Sequence, residues 1–292
     1  MKLPIGVVRA VDRHVVSRSF GMRYPAGRAM VEALALLDSV PPGVEIRSGT
    51  AGGVPAKLVA PRGAHPEPRV VWLHGGAYCF NSPRVYETFA GHLALALDAS
   101  VLLPGYRRAP EHPYPAAHED ALAAFRALSG DRPLILAGDS AGAGLALGAA
   151  TALRDSSELL PAGLLLMSPW VDLTGSGGSV RFNDGKDAIL RAAYLPAHAQ
   201  AYAGGLDLAD PRISPLNADL SGLPPALIQC GSEELFLSEC TALAARMEGA
   251  GTPAELQVTN GMWHDFQTHA GMLRESAEAV ERMAAWAKPL LA

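Results

Sequence analysis

Apolar residues fall into short runs separated by longer amphipathic stretches, and the two alternate along most of the chain. Residues 70–74, 100–106, 134–137, 163–167, 226–230 and 254–258 read as strands. Several are nearly continuous in Leu, Val, Ile and Ala, the pattern of strands covered on both faces. Earlier, 44–48 and 55–60 flank Gly52-Gly53 and read as a hairpin. Helical periodicity falls between the runs, near 83–97, 117–129, 141–153, 238–250 and 272–288. Strands alternating with helices imply an α/β class fold, with about eight strands in a mostly parallel sheet and helices on both faces.

Two stretches break the rhythm. Residues 1–43 precede the hairpin and look helical, and 176–215 interrupt the alternation with SGGS and then a helical stretch around 187–203. Helices inserted this way usually lie over the edge where strands end and ligands bind, so both are expected to form a helical cap. No repeat or linker divides the chain, which is expected to be one domain, 1–292, carrying that cap.

Composition narrows the possible partners. The chain has 292 residues, 49% hydrophobic and 18% charged, with a net charge of −5. Its 24 Lys and Arg form no block, which argues against nucleic acid and anionic membranes. No apolar run approaches the roughly 18 residues of a membrane span. Arg9, Asp12, Arg13 and Arg18 interrupt the N-terminal apolar residues, where a secretory signal needs an unbroken core of about 7–15. Cys79, Cys230 and Cys240 are odd in number, widely spaced and without CxxC. They read as reduced thiols of a cytoplasmic protein, with no disulfide, metal or other cofactor expected.

The candidate chemistry centres on LILAGDSAG, residues 134–142. An apolar run ends in Gly138-Asp139-Ser140-Ala141-Gly142 and a small-residue helix follows. In a chain with 30 glycines this pentapeptide can arise by chance. Its strand-turn-helix context instead fits a nucleophilic serine on a sharp turn, beside the free N–H groups of a new helix. Upstream, His74-Gly75-Gly76-Ala77-Tyr78 closes a strand. Paired glycines let backbone amides turn toward a ligand, as an oxyanion hole requires, although a plain strand-ending turn has the same residues. His74 suits a bracing role. His264, after the last strand in GMWHDF, opens onto the same sheet edge as Ser140 and is the best-placed base among nine histidines. After the strand PALIQCG, Glu233 and Glu234 offer two adjacent carboxylates, and Glu239 follows. Spacing alone divides the first two evenly.

With HGGAY (74–78), YRRAPEHPYPAAHED (106–120), GDSAG (138–142), SPWVDL (168–173), DPRISPL (210–216) and GMWHDF (261–266) in this order, the chain resembles the hormone-sensitive-lipase-like branch of the α/β-hydrolases, the bacterial family IV carboxylesterases. The resemblance runs from about residue 45 onward. It implies a catalytic triad of Ser140, His264 and Glu234, with Glu where the family more often has Asp and with Glu233 and Glu239 as lesser candidates. It implies an oxyanion hole at Gly75, Gly76, Ala77 and Ala141, the last three as amide donors and Gly75 shaping the turn. The family's HGGG is HGGA here. Cis bonds at Ala109-Pro110 and Tyr114-Pro115 are implied as well, with Glu111 and Asp120 as structural partners. Tyr78 and Trp263 flank the motifs and are expected to contact substrate.

The expected activity is hydrolysis of short- to medium-chain acyl esters through an acyl-enzyme. An amidase or deacetylase would use the same residues, and a small-molecule receptor on this fold would be expected to lack one of them. Pairing of two copies through a sheet edge is a further expectation from the resemblance. Activity should fall as the base protonates, at about pH 6–7 if its pKa is ordinary.

Overall fold

The computed structural model describes residues 2–65 and 67–292; Met1, the start of the expected cap, and Pro66 lie outside the described residues. The strands are β1 (Val44–Ala51), β2 (Val54–Pro61), β3 (Pro68–Leu73), β4 (Ser100–Pro104), β5 (Ile135–Asp139), β6 (Gly163–Met167), β7 (Ala226–Gly231) and β8 (Ala254–Thr259). They form one eight-stranded sheet in the order β1-β2-β4-β3-β5-β6-β7-β8. β1 and β2 pair antiparallel, as do β2 and β4, and the other neighbours are parallel.

Every residue of β4, β5, β6 and β7 is buried, which explains why their sequences do not alternate with polar residues. Alternate side chains instead divide between two cores. Val71, Leu73, Leu136, Leu164, Leu166 and Ile228 face the helices Ala116–Arg126, Ala141–Asp155 and Leu237–Gly249. Val70, Trp72, Val101, Leu103, Ile135 and Leu165 face the helices Glu87–Leu97 and Arg274–Ala287. The parallel strands all run the same way, so the loops leaving β3, β5, β7 and β8 open at one edge of the sheet.

Both irregular stretches are helical in part. The N-terminal one holds Ile5–Val11, Ser17–Phe20 and Tyr24–Ala35, with a π-helical turn at Asp12–Val16. In the second, the helix expected over 187–203 spans only Leu195–Ala203. Asp187 is the reason: its buried carboxylate accepts from the amides of Ile189 (2.9 Å), Leu190 (3.1 Å) and Leu235 (3.0 Å), holding a loop in place of helical turns. The two stretches meet at His198, whose Nε2–H donates to Phe20 O (3.0 Å) while Tyr24 Oη donates to Nδ1 (3.3 Å).

The proline-rich loop has cis bonds at Ala109-Pro110 and Tyr114-Pro115. Glu111 takes a bidentate hydrogen bond from Arg28, which also donates to Cys79 O and Ala109 O. Asp120 accepts from the Arg107 amide and guanidinium. Both acids therefore brace the loop. All three cysteines are buried and free, and no described helix is long and apolar enough to cross a membrane.

Candidate active site

Between β5 and the helix Ala141–Asp155 the chain reverses within one residue. Ser140 occupies φ 51°, ψ −120°, a conformation that costs a non-glycine residue on the order of 1–3 kcal/mol. Its neighbours enforce it. Ser140 N–H donates to Met167 O (2.8 Å), and its carbonyl accepts from Trp170 N–H (3.0 Å) and Ala143 N–H (3.1 Å). Glycine at 138 and 142 is a steric requirement: a Cβ on Gly142 would sit 1.9 Å from Leu73 O, and one on Gly138 2.5 Å from the Gly142 carbonyl carbon.

Three consecutive residues after β3 also hold positive φ: Gly76 (112°), Ala77 (52°) and Tyr78 (60°). Gly75 N–H donates to Asp139 Oδ1 (2.9 Å), so Gly75 cannot serve as an oxyanion donor and instead shapes the turn. The amides of Gly76, Ala77 and Ala141 have no acceptor among the described residues. Asp139 is fully buried and also accepts from Trp72 Nε1–H (2.9 Å) and Tyr86 Oη–H, which anchors the turn to the strand carrying Ser140. His74 stacks on Tyr106 (4.2 Å between centroids), and burial pushes its pKa down to about 3, so it is a neutral brace.

Of the three carboxylates left open by spacing, Glu234 is the one that meets His264. The ring donates Nδ1–H to Glu234 Oε2 (3.1 Å), and Glu234 Oε1 accepts from Gly231 N–H (2.9 Å). Glu233 points the other way, to Arg9 (2.7 Å), and Glu239 accepts from the amides of Val171 and Asp172 (3.0 Å each). Burial raises the Glu234 pKa while His264 pulls it back. For His264, burial alone would lower the pKa; Asp265 and then Glu234 outweigh it, and the result lies well above the ordinary value. That moves the acid limb expected at about pH 6–7 upward.

Tyr78 and Trp263, the two residues expected to contact substrate, are both fully buried and packed on other side chains. Tyr78 stacks on Tyr202 with centroids 3.7 Å apart. Trp263 donates Nε1–H to Asp12 Oδ2 (2.7 Å) under the Arg9 guanidinium, 4.9 Å from the ring centroid. Cys230, Glu234 and Cys240 bring their donor atoms within 4.8 Å of one another. Both Glu234 oxygens are already engaged, and burial keeps the Cys240 thiol protonated, so the donor set does not suit a metal ion.

Arg9 and Asp12, read in the sequence only as breaks in an apolar stretch, and Asp187 and Asp265 also reach the site. Asp265, immediately after the candidate base, carried a legible signal: a carboxylate adjacent to a histidine. The other three reach the site through contacts that no local pattern announces.

Residues 70–268 match a family model described as alpha/beta hydrolase fold. The chain belongs to the α/β-hydrolase family. Within it, an esterase crystal structure from the bacterial hormone-sensitive lipase family superposes with TM-score 0.93 at 32% identity, covering 100% of both chains. A hormone-sensitive lipase from a metagenome library gives 0.93 at 34%, again over 100% of both. Among curated proteins, an acetyl-hydrolase of Streptomyces hygroscopicus is 41% identical over 247 residues, 83% of this chain and 81% of that one. An esterase of Acinetobacter venetianus is 34% identical over 268 residues, 90% and 88% of the two chains. This α/β-hydrolase is a carboxylesterase of the hormone-sensitive-lipase group.

Proposed function

We propose that this carboxylesterase cleaves short- to medium-chain acyl esters with Ser140 as nucleophile, His264 as base and Glu234 as the carboxylate that orients it. The buried Glu234–His264 contact at 3.1 Å, at the same sheet edge as the strained Ser140 turn, carries this reading. In the reactive form His264 Nε2 takes the Ser140 proton as Oγ attacks the carbonyl carbon. Glu234 stabilises the imidazolium that results. The amides of Gly76, Ala77 and Ala141 take up charge on the carbonyl oxygen, where one such donor is typically worth about 10²–10³ in rate. The imidazolium then protonates the departing alcohol, and water attacks the acyl-enzyme with His264 again as base.

The helical stretches within 2–43 and 176–215 are the proposed cap over this edge. Their contact at His198 and the near-complete burial of Ser140 support an enclosed site suited to small acyl groups. Three free, buried thiols support a cytoplasmic setting. Any pairing of copies would run through a sheet edge, as the family resemblance implies. The decisive measurement is hydrolysis of p-nitrophenyl acetate and butyrate by the native protein and by Ser140→Ala. Native turnover no faster than the variant's would sink the reading.

A further inference from the structure

Directly after His264 the chain enters the left-handed region: Asp265 has φ 53°, and its N–H donates to Ser168 Oγ (3.2 Å). This turn folds the aspartate back over the ring that precedes it. Asp265 Oδ2 lies 3.0 Å from His264 Nε2, while Oδ1 is buried without a hydrogen-bond partner among the described residues. The imidazole is thus bracketed by Glu234 on Nδ1 and Asp265 on Nε2.

A neutral imidazole has one N–H and one lone pair. With its proton given to Glu234, the lone pair of Nε2 would face a carboxylate oxygen at 3.0 Å, which is repulsive. An imidazolium donates from both nitrogens and satisfies both acids. That form cannot accept a proton from Ser140, and no hydrogen bond joins Ser140 Oγ to His264 among the described residues.

The other acids near the ring have donors of their own. Asp187 is held by the amides of Ile189, Leu190 and Leu235, and Asp139 by Trp72, Gly75 and Tyr86. Glu239, which faces Glu234, is held by Val171 and Asp172. Arg9, the nearby cation, is taken by Glu233 and the Gly261 carbonyl. Asp265 is the acid whose carboxylate is turned onto Nε2 itself.

We propose that Asp265 is a positioning residue that docks Nε2 of the protonated His264 in a resting state and thereby sets the pH at which Ser140 acquires its base. Activation is the loss of one proton from Nε2 to water, followed by release of the ring from Asp265 toward Ser140 Oγ. The proposal rests on the reading of Ser140 and His264 as nucleophile and base.

Asp265→Asn tests it, because asparagine keeps the shape and removes the charge. A neighbouring opposite charge is worth about 1–3 pKa units, so the acid limb of kcat/KM should move down by at least about one pH unit, and activity at the acid foot of the profile should rise about tenfold. The His264 ring, followed by NMR in a Ser140→Ala background, should titrate lower by the same amount once Asp265→Asn is added. Asp265→Glu, which keeps the charge, should bring both midpoints back toward the parent. An acid limb and a His264 titration that do not move in folded Asp265→Asn would overturn the proposal, even if that variant is slower. The NMR titration needs no turnover, so it stands apart from the Ser140→Ala activity test of the underlying reading.

Discussion

Asp12→Ala should destabilise the protein from a site remote in sequence from everything it affects. One oxygen, Asp12 Oδ2, accepts from Trp263 Nε1–H and from His269 Nε2–H, each at 2.7 Å. Trp263 is fully buried, so its orphaned N–H should cost about 1–3 kcal/mol. His269 is 14% exposed at the side chain and can shed its proton or find water, which limits its share to about 1–2 kcal/mol. The expected loss near neutral pH is about 3 kcal/mol, a large part of the roughly 5–15 that stabilises a domain.

The sign of the pH dependence follows from His269. Burial would lower its pKa, but Asp12, with smaller contributions from Asp38 and Asp265, outweighs burial and raises it above the ordinary 6.5. A raised pKa contributes stability that is complete below the unfolded value and is lost as pH rises through the folded one. The gap between native protein and Asp12→Ala should therefore be widest below pH 6.5 and narrow in alkali. Urea unfolding followed by tryptophan fluorescence at several pH values measures it. Asp12→Asn, which keeps an acceptor for Trp263 but no charge, should lose less and flatten the pH dependence. A gap under about 1 kcal/mol, or one that widens with pH, would refute the clamp.

Other outcomes follow from the same geometry. Glu234→Gln should lower kcat by roughly 10³–10⁴ because the imidazole loses its orienting carboxylate, whereas Glu233→Gln should stay within a few-fold; equal losses would reopen the choice of acid. Gly142→Ala must displace the Leu73 carbonyl and should cost about 1–3 kcal/mol of stability with most of the activity, and a variant of native stability and rate would contradict the elbow packing. In the native enzyme, p-nitrophenyl acetate hydrolysis should fall as pH drops through a midpoint above 6.5, since two carboxylates raise His264; a midpoint below that value would count against the bracketed ring.

The sheet was legible because two-sided burial writes itself as unbroken apolar runs, and the elbow because glycine at 138 and 142 is sterically obligatory. Glu233 and Glu234 could not be separated by spacing, since neighbouring residues point apart and direction depends on the turn. The loop at 187–191 defeated helical periodicity because the buried Asp187 carboxylate captures amides a helix would use. The adjacency of Asp265 to His264 is legible, but its approach to Nε2 is not, because that depends on a left-handed backbone that nothing in GMWHDF requires. The partners of Tyr78 and Trp263, Tyr202 and Asp12, lie far along the chain, and no local motif announces them.

The clamp at Asp12 also bears on the order of events in translation. It joins residue 12 to residues 263 and 269, and Lys2 reaches the carbonyls of Ala270 and Leu273 in the same way. On the ribosome, residue 12 emerges 251 residues before Trp263 and 257 before His269. Until they arrive, the Asp12 carboxylate lacks the donors that satisfy it, and the histidine loop, once made, lacks this clamp until Asp12 docks. A chain interrupted shortly before residue 263 would therefore carry Ser140 without His264, the proposed base, and without the donors that satisfy Asp12.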